Sequence, residues 1–120
     1  MTTDETVSKA TRRTIEAYWA GFKTRDLSSL PIADDVLVKT PVQPDPIRGL
    51  DALRPFIEAL FSQFERVDIH RTIVDGEFAC VVFDYCLPEG PQIPMVDIFR
   101  VVDGEVVEID AYFDTKLITA

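Results

Sequence analysis

The sequence predicts an α+β domain, and three observations carry that expectation. Up to Gln63 the large apolar residues recur at helical spacing; beyond it they alternate at the two-residue period of strands. Turn signals at Asp75-Gly76, Pro88-Glu89-Gly90-Pro91 and Asp103-Gly104 cut this second part into four strand-length segments. Helices followed by hairpin-linked strands imply amphipathic helices packed on one face of a curved, largely antiparallel sheet.

Each element has a local reason. Between Thr6 and Lys23 the residues Val7, Ala10, Thr11, Thr14, Ile15, Tyr18, Trp19 and Phe22 mark one face of a helix, with Thr2-Thr3-Asp4-Glu5 as a capping box ahead of it. Asp26 can cap a short second helix over Leu27 to Leu30, which Pro31 ends. Asp34-Asp35 reads as a turn into a strand from Val36 to Thr40, and the three prolines of "TPVQPDPIRG" make the following stretch a loop. Leu50, Leu53, Phe56, Ile57, Leu60, Phe61 and Phe64 trace a third helix, with Pro55 expected in its first turn, where a missing N–H has no partner to lose. Strands follow at 67–74, 78–87, 94–102 and 106–113.

Composition limits the function. With 120 residues, 47% of them hydrophobic, the chain fits one domain over residues 1–120 with a single core. Twelve basic against 21 acidic residues leave a net charge of −9, which argues against nucleic acid or an anionic membrane surface as partner. No apolar run reaches the length of a membrane span, and the acidic start Met1-Thr2-Thr3-Asp4-Glu5 is unlike a signal peptide, so a cytoplasmic location is expected. Cys80 and Cys86 lie roughly 20 Å apart along one strand and read as free thiols. The metal-protease, nucleophile-elbow and phosphate-loop motifs are absent, and neither a metal nor a cofactor is expected.

One stretch asks for an explanation. In "PMVDIFRVV" the residues Met95, Asp97, Phe99 and Val101 share one face of a strand and Val96, Ile98, Arg100 and Val102 the other. Neither face is plainly polar, and an acid among aromatic residues is costly unless it is partnered or neutral. Asp97 therefore either faces a pocket or forms a structural ion pair, with Arg71 as a candidate, or is exposed. Arg100 is expected at the outer surface or an interface.

The segments "AYWAGFKTRDL", "ADDVLVKTP", "IRGLDALRPFIEALF" and "MVDIFRVVDGEVVEIDAYFD", in this order over nearly the whole chain, resemble the nuclear-transport-factor-2-like (NTF2-like) superfamily, and within it the SnoaL-like polyketide cyclase and ketosteroid isomerase branches. The resemblance implies a cone-shaped fold of three N-terminal helices on a curved mixed sheet, a hydrophobic pocket between them and a homodimer formed through the outer face of the sheet. In the isomerase branch a tyrosine of the first helix and a protonated aspartic acid on the penultimate strand donate hydrogen bonds to a substrate carbonyl, and a third acid moves the proton. Carried over, the donors are Tyr18 and Asp97. Phe22, Thr40, Phe56, Leu60, Phe64, Phe99, Ile109 and Phe113 become the substrate-binding set.

Such donors stabilise the negative charge that grows on a carbonyl oxygen as it becomes an enolate, and burial among apolar residues would keep Asp97 protonated. The base is the point of departure. Where the isomerase branch has its acid, before the proline that ends the first strand, this chain has Thr40, whose hydroxyl is no base near neutral pH. Asp45 in the proline-rich loop and His70, the lone histidine, are the substitutes on offer; their ordinary readings are an exposed turn and a polar strand face.

The expected function is thus a cofactor-independent isomerase or cyclase acting on a hydrophobic carbonyl or polyketide-like small molecule. A non-catalytic binding or dimerisation module is the alternative. An epoxide hydrolase of the same fold is disfavoured because Arg100 and Asp97 fall on opposite faces.

Overall fold

In the computed structural model, which describes residues 3–116, two α-helices cover one face of a curved six-stranded sheet. Helix α1 runs Thr3–Lys23 and α2 Leu50–Gln63; the strands are β1 Ile32–Lys39, β2 Ile47–Arg48, β3 Arg66–Asp75, β4 Phe78–Cys86, β5 Gln92–Val102 and β6 Glu105–Phe113. The capping box expected over 2–5 includes Thr2, which lies outside the described residues, and α1 starts at Thr3 rather than Thr6. No described helix is long and apolar enough to cross a membrane.

The second helix shrinks to a single 3₁₀ turn, Leu27–Ser29, so two α-helices stand where three were expected. The few residues between Asp26 and Pro31 leave no room for an α-turn. Asp26 still caps the turn, its carboxylate accepting from the Ser28 amide at 3.2 Å and the Ser28 hydroxyl at 2.7 Å.

Helix α1 ends in a Schellman motif: the Asp26 amide donates to the Gly21 carbonyl at 3.0 Å and the Arg25 amide to that of Phe22 at 3.1 Å. This places Arg25 in the left-handed region at φ 57° and turns its side chain back toward the C-terminal end of α2. Its guanidinium donates to the carbonyls of Phe61 at 2.9 Å and Phe64 at 2.6 Å and lies 4.1 Å from the centre of the Phe64 ring. One cation therefore satisfies carbonyls that a helix end leaves open and ties α1 to α2.

Three local expectations change. Asp34 and Asp35 lie within β1, both exposed where its pairing with β6 is irregular, instead of forming a turn before it. The proline-rich loop contains the short β2, antiparallel to β1. Pro55 sits in the second turn of α2, because the Leu53 amide already donates to the Gly49 carbonyl and the helix begins at Leu50. Its missing N–H deprives the carbonyl of Asp51, an exposed residue that water reaches.

The sheet order is β2-β1-β6-β5-β4-β3, antiparallel throughout except for the parallel pair β1 and β6. Ile93, Met95, Asp97, Phe99 and Val101 all point to the helix side of β5, the buried half of its alternation. Helix α1 crosses β3, β4 and β5, while α2 packs on β1 and β2. The two helices thus lean on opposite ends of the sheet and leave the middle of its concave face uncovered.

Candidate active site

That uncovered middle is a cavity of about 740 Å³. Tyr18, Trp19 and Phe22 of α1 form one wall and Leu53, Phe56, Ile57 and Leu60 of α2 another; Phe83, Ile93, Met95 and Asp97 lie on its floor, with Ile109, Ala111 and Phe113 beside them. Helical spacing explains the first wall: Tyr18 and Phe22 are four residues apart, with their rings stacked at 6.0 Å.

Asp97 is the only carboxyl lining this cavity among the described residues. Its neighbours across the ladders are Val81 on β4 and Ala111 on β6, both small, so the carboxyl stands open to the cavity above it. It is only 8% exposed, and no described residue gives it a hydrogen bond. Burial without a partner disfavours the anion and pushes its pKa up from 3.8 to about 7.

Tyr18 is held by rings on three sides, with Phe99 at 5.0 Å and Trp19 at 5.1 Å in edge contacts besides Phe22. Burial first, and the charge of Asp97 second, raise its pKa far above the ordinary phenol value. Its hydroxyl is therefore a permanent proton carrier, a hydrogen-bond donor that does not ionise.

Two further polar groups of the lining are engaged, whereas the Trp19 Nε1–H is buried without a hydrogen-bond partner. The Tyr85 hydroxyl donates to the Leu60 carbonyl at 3.1 Å, and burial pushes its pKa up to about 12. Thr40 lines the cavity, its Oγ1 accepting from the Val42 amide at 3.3 Å.

Two proposed proton movers lie elsewhere. His70 sits at a bulge of β3 between Ile69 and Arg71, on the outer face of the sheet, where its Nε2 meets Asp84 Oδ2 at 3.0 Å. Asp45 is exposed in the loop before β2, outside the cavity lining, and its backbone carbonyl accepts from Gln43 Nε2 at 2.9 Å. Neither residue lines the cavity.

Of the expected substrate-binding set, Phe22, Thr40, Phe56, Leu60, Ile109 and Phe113 line the cavity. Phe64 and Phe99 do not. Phe64 is consumed by Phe22, Tyr85 and the Arg25 guanidinium, and Phe99 is wholly buried beneath Tyr18 and Trp19. Trp19, Phe83 and Ile93 are lining residues that the sequence reading did not single out. Ile93 was accessible from its alternation with Asp97; Phe83 required the β4–β5 register, which pairs it with Met95.

Arg100 lies on the outer face, donating to Glu77 at 2.9 Å and Glu108 at 3.2 Å. An Arg/Asp pair with Asp97 is thereby excluded, since the sheet separates them.

Residues 15–109 match the family model described as the SnoaL-like domain. No functionally curated protein matches the chain. Among solved structures, an NTF2-like protein of unknown function from Mesorhizobium loti is similar at 26% identity and TM-score 0.79, over 89% of this chain and 93% of that one. An LEH-like epoxide hydrolase of M. tuberculosis gives 23% identity and TM-score 0.75 over 92% and 86% of the two chains. A steroid delta-isomerase from Pseudomonas aeruginosa gives 21% and 0.75 over 88% and 80%.

Proposed function

Because the chain belongs to the SnoaL-like domain family of NTF2-like proteins, we propose that its cavity catalyses proton transfer on a neutral hydrophobic carbonyl compound, as an isomerase or cyclase that uses Asp97 as the acid–base group and Tyr18 as the hydrogen-bond donor. The observation that carries this reading is the isolation of Asp97: one carboxyl, buried, without a protein partner, with a pKa of about 7. A group that titrates at the working pH can both take and return a proton.

The step balances with these two residues alone. The Asp97 carboxylate removes a proton from the carbon next to the carbonyl, and the electron pair of that C–H bond moves onto the carbonyl oxygen. The Tyr18 hydroxyl donates a hydrogen bond to that oxygen as its charge grows, in a cavity lined mainly by apolar side chains. The carboxylic acid then returns the proton to a different carbon of the conjugated enolate, or the enolate carbon attacks a second carbonyl of the same molecule and the acid protonates the alkoxide so formed.

This reading differs from the arrangement expected from the sequence, in which Tyr18 and Asp97 both donate to the oxyanion and Asp45 or His70 moves the proton. Asp97 moves the proton, and neither Asp45 nor His70 is needed. The test is turnover of conjugated and β,γ-unsaturated ketones by wild type and Asp97→Asn. Loss of about 10²–10⁴ in kcat, together with a wild-type rate that rises with pH through about 7, is expected. Binding of such ketones with no turnover by wild type would favour the non-catalytic module instead.

We also propose that two copies pair through the outer face of the sheet. Ile73, Phe78 and Tyr112 are about half exposed there, beside Val96 and Ile98. Exposed apolar groups gathered on one face favour burial against a partner.

A further inference from the structure

The walls of the cavity hold no cation among the described residues, yet its floor holds a carboxyl with no counterion. Around it stand Tyr18, Trp19, Phe22, Phe56, Phe83 and Phe113, rings whose faces attract positive charge. We propose that the cavity binds apolar amines as their ammonium ions, with the Asp97 carboxylate as counterion and the aromatic walls around the charge and the hydrocarbon. This goes beyond the carbonyl chemistry, because it needs the carboxyl and the rings but no reaction.

Energetics favour it. The usual objection to a buried ion pair is the loss of hydration of both partners. Here folding has already taken Asp97 out of water, so binding adds only the desolvation of the ammonium, which the carboxylate and the rings offset. Val81 and Ala111, the small neighbours of Asp97 on β4 and β6, leave room for the ammonium above the carboxyl. The net charge of −9 draws cations toward the protein and repels carboxylate ligands of the same shape.

The pH dependence has a sign of its own. Tyr18 on α1 is the titratable group facing Asp97, and it stays neutral; Val81 on β4, Ala111 on β6 and the α2 residues of the lining carry no charge. Ammonium binding therefore strengthens as Asp97 ionises and holds until the amine itself loses its proton, at about pH 10 for an alkylamine. A ketone that accepts a hydrogen bond from protonated Asp97 weakens over the same interval.

The experiment is calorimetric titration with 4-phenylcyclohexylamine, 4-phenylcyclohexanol and 4-phenylcyclohexanone, which differ only in the polar group. At about pH 8.5 the amine should bind at least about tenfold more tightly than the alcohol, in line with hydrogen bonds to charged groups. That ratio should shrink at about pH 5.5 in wild type and fall below about twofold in a folded Asp97→Asn. Equal affinity of amine and alcohol in wild type would overturn the proposal, as would a preference that survives in Asp97→Asn. If the variant does not fold, the wild-type ratio at the two pH values decides alone. Amine preference without ketone turnover removes the enzymatic reading and keeps this one; ketone turnover without amine preference does the reverse.

Discussion

The charge on Asp97 raises the pKa of Tyr18 across the cavity floor, on top of what burial does to that phenol. The two residues come from opposite layers, one from α1 and one from β5, and divide the chemistry between them. Tyr18 keeps its proton at any physiological pH, while Asp97 can gain or lose one near neutrality.

Asp97 should make the fold weaker as pH rises. Its carboxyl sits at about 7 in the folded chain against 3.8 for a free one, so between those values the unfolded chain has released a proton that the folded chain still holds. Stability from this group is complete below about pH 4, falls as pH rises to about 7, and is level beyond. Asp97→Asn should be more stable than wild type at pH 8, by an amount of the order of 2 to 4 kcal/mol, and so melt at a higher temperature there, while melting near the wild-type temperature at pH 4. Thermal melts followed by circular dichroism at both pH values check this, and a variant less stable at pH 8 would show that the carboxylate has a partner in solution.

Removing the Tyr18 hydroxyl should separate function from folding. Its ring packs on Phe22, Phe99 and Trp19, but no described residue bonds its oxygen. Tyr18→Phe should therefore shift stability by less than about 1 kcal/mol. It should lower kcat by about 10²–10³ if an oxyanion forms beside it. Steady-state kinetics beside a denaturant titration reads both.

Arg25 should be a stability residue with an effect on the cavity wall. Arg25→Ala loses the hydrogen bonds to the Phe61 and Phe64 carbonyls and the contact with the Phe64 ring. A cost of about 2 to 3 kcal/mol is expected, with partial recovery in Arg25→Lys, whose ammonium can still reach one carbonyl. Urea titration of the three proteins gives the order.

The outer face should control association. Tyr112 lies opposite Val96 on that face and is 56% exposed in the single chain. Tyr112→Glu should convert a dimer to a monomer in sedimentation equilibrium while leaving the melting curve cooperative. Unchanged mass would place the interface elsewhere.

Much of the fold was legible because its signals are periodic. Alternation along β5 assigned Asp97 to the face that carries Met95 and Phe99, and helical spacing assigned Tyr18 and Phe22 to one side of α1. Those patterns depend only on the geometry of one element, so a short stretch of sequence contains them. His70 misled because the bulge between Ile69 and Arg71 breaks the alternation: Asp68 faces outward with Asp84, whereas Thr72 pairs with the inward Val81. Phe64 and Phe99 misled for another reason. An aromatic residue on the correct face can end in the core or in the cavity, and Arg25 and Tyr18 decide which.

The sequence by itself therefore determined the order of the two long helices and the five long strands, the inward side of β5 and the absence of a base at Thr40, all of which follow from local spacing and residue type. Only the tertiary structure decided that Asp97 stands alone. Its isolation depends on what α1, α2, β4 and β6 bring near it, and the pKa of a buried acid is set by that whole shell: two small side chains, a neutral phenol and no cation.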